Sequence, residues 1–369
     1  MIQTLFQDIR YAVGLLMRKP GFSVIAILGL SLGIGASTAI FSVVNALLLR
    51  GLPYRAPERL VKIRSHNLID NTAPRAVSYP NFCDWRDQNQ VFDALAAYQE
   101  GDANLTGHGE PERFHAVQTS YNLFSLLGVN PIRGRGFLPE EDRPGAAPVA
   151  IISSGLWQRY FAKDPSVIGA SITLDSVATT VVGVLPPGFN FIPGTDIWTP
   201  LAMPDDPRAR LSLSLESVAR LKPGTSLAQA SANMDAIATR LAELYPATNK
   251  NWSVDLVPLQ KDIVGKFRVP LLVLLGAVVL VLLISCVNVA NLLLAHAAGR
   301  QREITIRMAI GAGRLRIIRQ LLTESLILGI AGGGLGLALA ASGVSLLTRF
   351  AKNIPRADEI GINIEVLAF

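Results

Sequence analysis

The stretch VPLLVLLGAVVLVLLISCVNVANLLLAHAAG, residues 269–299, contains no Lys, Arg, Asp or Glu. At ~1.5 Å per residue, a helix of that length exceeds the ~30 Å hydrocarbon core of a bilayer. Two further runs share the property. Residues 20–49 are also free of charge, and so are residues 325–348, a run that would reach about 36 Å as a helix. The composition agrees: of 369 residues 50% are hydrophobic and 17% charged, against about a quarter charged in ordinary soluble domains. A disordered, acidic-tail or purely cytosolic protein is excluded, and the fold class is a membrane protein with α-helical transmembrane spans and one large domain outside the bilayer.

Charge decides how the runs cross. Residues 50–268 carry 22 basic and 22 acidic side chains, so the formal net charge of +6 arises elsewhere. Before Pro20 stand Arg10, Arg18 and Lys19 against Asp8, and residues 300–324 hold six arginines against Glu303 and Glu324. Basic residues in short loops are retained on the cytoplasmic side. The N-terminus and the 300–324 loop are therefore expected inside, and residues 50–268 outside. The same distribution argues against nucleic acid as a partner, because the basic excess belongs to short membrane-flanking stretches and no basic stripe crosses the large domain.

Residues 1–19 read as a cytoplasmic amphipathic helix on the membrane surface, with Leu5, Ile9, Val13 and Leu16 at helical spacing. The alternative is a ragged start to a longer first span. A cleaved signal peptide is the other reading of the first run, but its uncharged length far exceeds an apolar signal core of about 7 to 15 residues. Cys83 lies in the large domain and Cys286 in the second run, so they are not expected to pair, and both read as packing residues.

The large domain is mixed α/β by pattern. Residues 59–63, 149–152, 171–174, 179–185 and 213–221 read as strands, rich in Val, Ile, Leu or Thr. Helices are expected over 79–88, 121–127, 154–162 and 226–244, the last with Ala230, Met234, Ile237, Leu241 and Leu244 on one face. The Pro-rich stretches 186–188 and 193–207 read as irregular connections between two lobes. No catalytic constellation stands out. His66, His108 and His115 lack metal-ligand spacing, and no cofactor or metal is expected. Glu140, Glu141, Asp142, Asp205 and Asp206 read as solvated loop charges, while Asp84, Trp85, Arg86 and Asp87 mark either a contact face or an ordinary surface helix.

The loop after the second run is the most informative segment: RQREITIRMAIGAGRLRIIRQLLTE, residues 300–324. Helix should continue from the second span through Arg307 and stop at Gly311 to Gly313, where glycine takes a left-handed cap without a Cβ clash. A second short helix, 314–324, leads into the third span. Glu303 and Arg307 stand four apart on one helical face, a pair worth only ~0.2–0.5 kcal/mol. Six arginines serve topology by count alone; alternatively the turn and its basic helix dock on a soluble partner, with Leu315, Ile318 and Leu322 as the apolar side. In the third span Gly329, Gly332, Gly333, Gly334 and Gly336 form small-residue rows, either a helix-packing surface or the glycine common in membrane helices.

These motifs together resemble the permease subunits of the MacB and FtsX class of ABC transporters, nearest the subgroup of duplicated orphan permeases. The resemblance rests on Arg302-Glu303-Ile304 through Gly311-Ala312, on Gln320-Leu321-Leu322-Thr323-Glu324-Ser325, and on Gly33-Ile34-Gly35-Ala36 and Val287-Asn288-Val289-Ala290-Asn291 in the spans. In the large domain it rests on Ser78-Tyr79-Pro80-Asn81-Phe82, Gly109-Glu110-Pro111-Glu112-Arg113, Gly155-Leu156-Trp157-Gln158-Arg159 and Leu221-Lys222-Pro223-Gly224. It implies a bacterial inner-membrane protein with a mixed α/β periplasmic core domain of two lobes, a cytoplasmic ABC ATPase as partner, a second permease half, a possible periplasmic protein partner and membrane lipid.

The expected division is 1–19 cytoplasmic helix, 20–49 first span, 50–267 periplasmic core domain, 268–298 second span, 299–323 coupling loop, 324–349 third span and 350–369 external connection. Val366-Leu367-Ala368-Phe369 reads as the start of a fourth span cut short, hence a truncated permease half. The ATPase-coupling residues implied are Arg302, Glu303, Arg307, Gly311, Gly313, Arg314, Arg316 and Glu324, and the helix-packing residues Gly329, Gly332, Gly333 and Gly336. The chain has no Gly-rich phosphate loop ending in Lys-Ser or Lys-Thr, so the expected role is a noncatalytic permease worked by a separate ATPase, transmitting its cycle mechanically for export or envelope remodelling. Asn45, Asn288 and Asn291 read as interhelical glue within the spans. The rival expectation is a membrane-anchored periplasmic sensor or adaptor without an ATPase.

Overall fold

The computed structural model describes residues 14, 17, 20–69, 75–107, 111–298, 314–350 and 361. The chain divides into two compact units, Gly51–Lys266 and a second unit made of Met1–Arg50 with Phe267–Phe369. The expected surface helix over residues 1–19 lies outside the described residues apart from Gly14 and Met17.

The Gly51–Lys266 unit is built on one ten-stranded sheet. Its strands are β1 (Leu60–Asn67), β2 (Phe92–Thr106), β3 (Glu112–Thr119), β4 (Arg133–Gly134), β5 (Val149–Ile152), β6 (Ser171–Leu174), β7 (Val177–Val184), β8 (Ile197–Pro200), β9 (Glu216–Leu221) and β10 (Trp252–Pro258). They lie in the order β10-β1-β9-β2-β3-β8-β5-β7-β4, with β6 against β2 and β7. Most neighbours are antiparallel; β3 with β8 and β5 with β7 are parallel.

Both faces of this sheet are buried, and strand alternation distributes side chains between them. In β5, Val149 and Ile151 enter one core cluster, and Ala150 and Ile152 another. That is why Val-Ala-Ile-Ile reads as a continuous apolar run. One cluster packs Ile63, Ala219 and Leu256 against two helices, α1 (Tyr79–Gln88) and α2 (Leu227–Leu244), which supply Phe82, Trp85, Met234, Ile237 and Leu241. A second gathers Phe124, Phe137, Phe191 and Trp198 around α3 (Leu123–Leu127). A third packs Leu156 and Trp157 of α4 (Ser154–Phe161) on Ile152, Ile172 and Val184.

The helix starts are sequence-local. Ser226 accepts from the Gln229 N–H at 3.2 Å while Gln229 Oε1 accepts from the Ser226 N–H at 2.9 Å, a closed capping box. Ser78 and Ser153 cap α1 and α4 with their hydroxyls.

Several expectations change. The 193–207 stretch is not a plain connection, because it contains β8, whose Ile197 and Trp198 are among the most buried residues. Apolar residues fall into three clusters along one continuous sheet. Leu244 is exposed at the end of α2, where the helix runs out before completing the turn that would bury it. Cys83 is buried, but Cys286 is exposed on its span, and both are free.

Two of the presumed solvated loop charges are tied in. Asp142 is half-buried and accepts the Tyr121 N–H at 3.0 Å and the Ala202 N–H at 2.8 Å. Burial raises its pKa nonetheless. Glu141 makes a two-pronged pair with Arg135, at 2.6 and 2.9 Å, and accepts the Leu138 N–H at 2.8 Å.

A polar cluster ties the end of this domain together. Lys62 of β1 reaches Glu216 Oε2 at 2.9 Å, donates to the Tyr98 hydroxyl at 3.1 Å and lies 3.8 Å from Asp262, which also pairs with Arg64. Burial opposes the Lys62 charge, yet Tyr98 and Glu216 raise its pKa above the ordinary lysine range. Asp262 stands in the first turn of α5 (Leu259–Ala298), where a carboxylate also meets the positive end of the helix dipole.

Burial works to raise the Glu141 pKa, but the Arg135 hydrogen bonds and the Leu138 N–H outweigh it and hold the carboxyl below the usual range. A lowered carboxylate pKa contributes stability above the unfolded value of about 4.3, and that contribution is lost as pH falls through the folded value. Glu141→Gln is expected to destabilise the domain by about 1–2 kcal/mol at pH 7 and by progressively less below pH ~4. Thermal unfolding of the full chain in detergent across that range checks this; a difference that stays constant to pH 3 refutes it.

Candidate functional site

Among the described residues, the second unit carries three helices long and apolar enough to cross a membrane, over Ser23–Leu48, Arg268–Asn291 and Leu322–Leu346. The first span is an α-helix, Pro20–Val44, whose last turn widens into a π-helix over Asn45–Leu49. The second belongs to α5, and the third to α6 (Arg314–Phe350).

The first and third spans meet through glycine. A Cβ on Gly35 would lie 2.9 Å from the Gly336 carbonyl oxygen, and one on Gly336 would lie 3.0 Å from the Ser31 carbonyl oxygen. A Cβ on Gly332 would lie 2.7 Å from the Leu30 Cβ. At Gly35 and Gly336 neither backbone carries a side chain at the crossing, and at Gly332 the missing side chain makes room for Leu30. Ala26, Val289 and Leu328 pack together beside it, with Ile27 and Leu30 against them. The first span touches the second as well: a Cβ on Gly33 would lie 3.2 Å from both Leu282 Cδ1 and Ser285 Oγ.

The first span also buries Ser31, Ser37, Thr38 and Ser42. Ser31 donates to the Leu28 carbonyl at 3.0 Å and Ser42 to the Thr38 carbonyl at 2.8 Å. Such bonds to the preceding turn satisfy the Ser31 and Ser42 hydroxyls at the helix contact, while the buried Ser37 Oγ has no hydrogen-bond partner among the described residues.

The sequence-identified glycines therefore separate into two rows. Gly332 and Gly336 face the first span, whereas a Cβ on Gly329 or Gly333 would meet nothing within 4 Å. Spacing of four residues is the same in both rows and cannot tell them apart. Gly35 and Ser31 were missed as packing residues, although their own four-residue spacing is a usable signal. Asn45 is buried, but Asn288 and Asn291 are exposed. The second span turns most of its apolar side chains outward, including Val269, Val273, Leu280 and Ile284.

Of the coupling residues, Arg302, Glu303, Arg307, Gly311 and Gly313 lie outside the described residues. Arg314 and Arg316 sit on the first turn of α6, their side chains outside the described set. The expected short helix 314–324 and the third span are one continuous helix. Ile318 and Leu322, four apart on it, are both exposed. Glu324 is only 3% exposed, next to buried Thr323.

In the Gly51–Lys266 unit an open groove of about 480 Å³ runs between the β2–β3 ladder and the 146–149 segment, lined by Glu100, Asp102, Gln118, Asp175 and Thr199 among others. Its acids are partnered: Arg113 pairs with Asp102 at 2.6 Å, His115 Nε2 lies 3.7 Å from Glu100, and Asp175 accepts from Asn104 Nδ2 at 2.8 Å. Among the described residues no three His, Cys, Asp or Glu side chains are grouped to hold a metal ion. The geometry is one of helix association and surface presentation.

Comparison with known proteins places these parts. Residues 23–237 match the MacB-like periplasmic core domain, and residues 275–366 match the FtsX-like permease C-terminal segment. The macrolide export ATP-binding/permease protein MacB of Burkholderia thailandensis is 28% identical over 253 residues, covering 67% of this chain and 36% of that protein. The pyoverdine export ATP-binding/permease protein PvdT of Pseudomonas syringae pv. tomato is 32% identical over 226 residues, covering 59% of this chain and 33% of that protein. The chain thus spans about a third of the length of the curated relatives it matches. Among solved structures, the periplasmic region of MacB from Actinobacillus actinomycetemcomitans aligns with a TM-score of 0.42 at 10% identity, covering 62% of this chain and 97% of that one.

The two glycine rows make a direct test. Gly332→Ala and Gly336→Ala are expected to cost about 1–3 kcal/mol by forcing the first and third spans apart. Gly329→Ala and Gly333→Ala, with open space around them, are expected to be neutral or to stabilise by up to ~1 kcal/mol through helix propensity. Denaturant unfolding of the full chain in detergent distinguishes the rows, and equal effects at all four positions would refute the contact.

Proposed function

This chain belongs to the family of permeases that carry the MacB-like periplasmic core domain, and on that premise we propose that it is a noncatalytic permease unit coupling a separate cytoplasmic ABC ATPase to its periplasmic domain. It works by transmitting the ATPase cycle mechanically, in export or envelope remodelling, and as one half of a pair, with a second copy or a tandem permease half of the duplicated orphan permease type. Both matched segments are permease segments, and the names of two relatives support export as the class of process.

One observation carries the reading: the basic segment lies between two charge-free spans, and its helical half, starting at Arg314, runs unbroken into the third span. A force applied near Arg314 would be passed along a single helix that packs through Gly332 and Gly336 against the first span. The exposed Ile318 and Leu322 supply an apolar strip beside the arginines, the kind of helix face that seats in a groove on a partner. Arg302, Glu303, Arg307, Gly311, Gly313, Arg314 and Arg316 make up the proposed docking element; Glu324 is withdrawn from it by its burial.

Two experiments test this. Single cysteines introduced at Asp206 and Arg316 are expected to react differently with a membrane-impermeant reagent in intact spheroplasts, position 206 labelling and position 316 not. The reverse pattern overturns the orientation. Arg314→Glu, or Leu at Gly311, is expected to abolish most permease-stimulated ATP hydrolysis in liposomes holding the permease and its ATPase, at unchanged insertion, since five other arginines keep the loop inside. Full stimulation by both variants leaves the arginines a topological role alone.

A further inference from the structure

At the end of β9 the large domain holds an arrangement that its fold does not require. Arg55, Arg59 and Arg220 line a concave pocket of about 180 Å³ together with Asp93, Ser125 and Leu126. Arg220 is 6% exposed, yet among the described residues none of its hydrogen-bond partners is a carboxylate. Its Nε donates to the Leu126 carbonyl at 3.1 Å, its Nη2 to the same oxygen, and its Nη1 to the carbonyls of Arg55 and Ala56. A buried guanidinium is ordinarily paired with an acid, because its desolvation is costly. Here the nearby charges are two arginines and two acids, neither of the acids bonded to it. Burial, then Arg59 and Arg55, pull Arg220 below the ordinary arginine range, with Asp93 and Glu58 opposing.

The remaining members show where the free charge lies. Arg59 donates to the Leu221 carbonyl at 2.7 Å and pairs with Asp93 at 3.1 Å, which uses the one carboxylate in the lining. Arg55 is exposed, and its guanidinium has no hydrogen bond or ion pair among the described residues. Its backbone is held in place, with the Arg55 N–H on the Leu127 carbonyl at 3.1 Å. The chain packs against Gly128, where φ is +73° and a Cβ would stand 2.5 Å from the Arg55 Cβ. Three guanidiniums against one carboxylate leave the lining of a small concavity positively charged, with Glu58 outside the lining.

We propose that Arg55, Arg59 and Arg220 form a binding site for a phosphate-class oxyanion. Arg55, whose planar N–H fork is free among the described residues, can bind phosphate oxygens in a two-pronged geometry, while Arg59 and Arg220, their N–H groups engaged with carbonyls and Asp93, supply positive charge, and the volume suits one such group. The phosphate comes either from a phospholipid headgroup or from a free anion. Arg55 follows Arg50, the residue that ends the first span's helical segment, by only five residues. This site uses no part of the ATPase-coupling reading.

The test is calorimetric titration of the full chain in non-ionic detergent at fixed ionic strength, with dihexanoyl phosphatidylglycerol in one arm and inorganic phosphate in the other. One saturable site is expected. Arg55→Glu should weaken it at least tenfold, while Arg133→Glu, the same charge change at an exposed residue of β4, should alter it less than twofold. Arg55→Gln, which removes the charge without reversing it, should fall between. Binding in the lipid arm alone identifies a headgroup as the source, and binding in both arms shows that a free anion enters too; either result supports the site. No saturable binding in either arm, or equal loss with Arg55→Glu and Arg133→Glu, overturns it. Unchanged thermal unfolding of Arg55→Glu establishes that the fold is not what changed.

Discussion

A peptide group inside hydrocarbon has no water to bond, and this one constraint sets the layout of the chain. Each charge-free run must satisfy its own backbone, so each is a helix. Once helical, the spans gain little from burying apolar side chains against one another, since lipid is equally apolar. They associate instead where the backbones come closest. That place is the crossing of Gly35 with Gly336, flanked by Gly332 on Leu30 and by serine hydroxyls that bond back into their own helix. The second span, turned outward along most of its length, has its large apolar side chains free for lipid or for another subunit.

Outside the bilayer the same backbone demand is met between strands, and charges become admissible. The long strand β2 is the spine of that solution. Its first half pairs with β9 and its second half with β3 and β6, so a single segment ties the regions of the sheet together. Helices cover the two faces, and buried charges are admitted with partners, as with Lys62 between Glu216 and Tyr98. Arg220 is the departure. Its carbonyl partners satisfy its N–H groups and leave its charge uncompensated, a different condition from that of Lys62.

Elements defined by local chemistry were readable in advance. The α1 bounds, the strand pair 149–152 and 171–174, and the buried stripe Ala230, Met234, Ile237 and Leu241 follow from caps, β-branched runs and helical spacing. The spine β2 was not. Phe-Asp-Ala-Leu-Ala-Ala-Tyr-Gln-Glu-Gly-Asp-Ala-Asn-Leu-Thr is poor in β-branched residues and contains Gly, Asp and Asn, so its strand state comes from neighbours on both sides and not from its own preference. β8 was hidden for a similar reason, its few residues lying in a proline-rich stretch.

What the sequence by itself determined is whatever depends on near neighbours in the chain: three uncharged runs of spanning length, a basic segment between the second and third, capped helices, and the order of motifs that marks the family. The tertiary structure alone decided which of two equally spaced glycine rows meets the first span, because the choice depends on the rotation of one helix against another. It also decided that Glu324 is buried, that Asn288 and Asn291 face outward, and that Arg55, Arg59 and Arg220 line one pocket. Periodicity records which residues share a face of one element. It carries no information about which face meets which partner, and Arg55 and Arg220, far apart in the chain, meet through the β1–β9 pairing and through the adjacent Leu126 and Leu127 carbonyls that they bond.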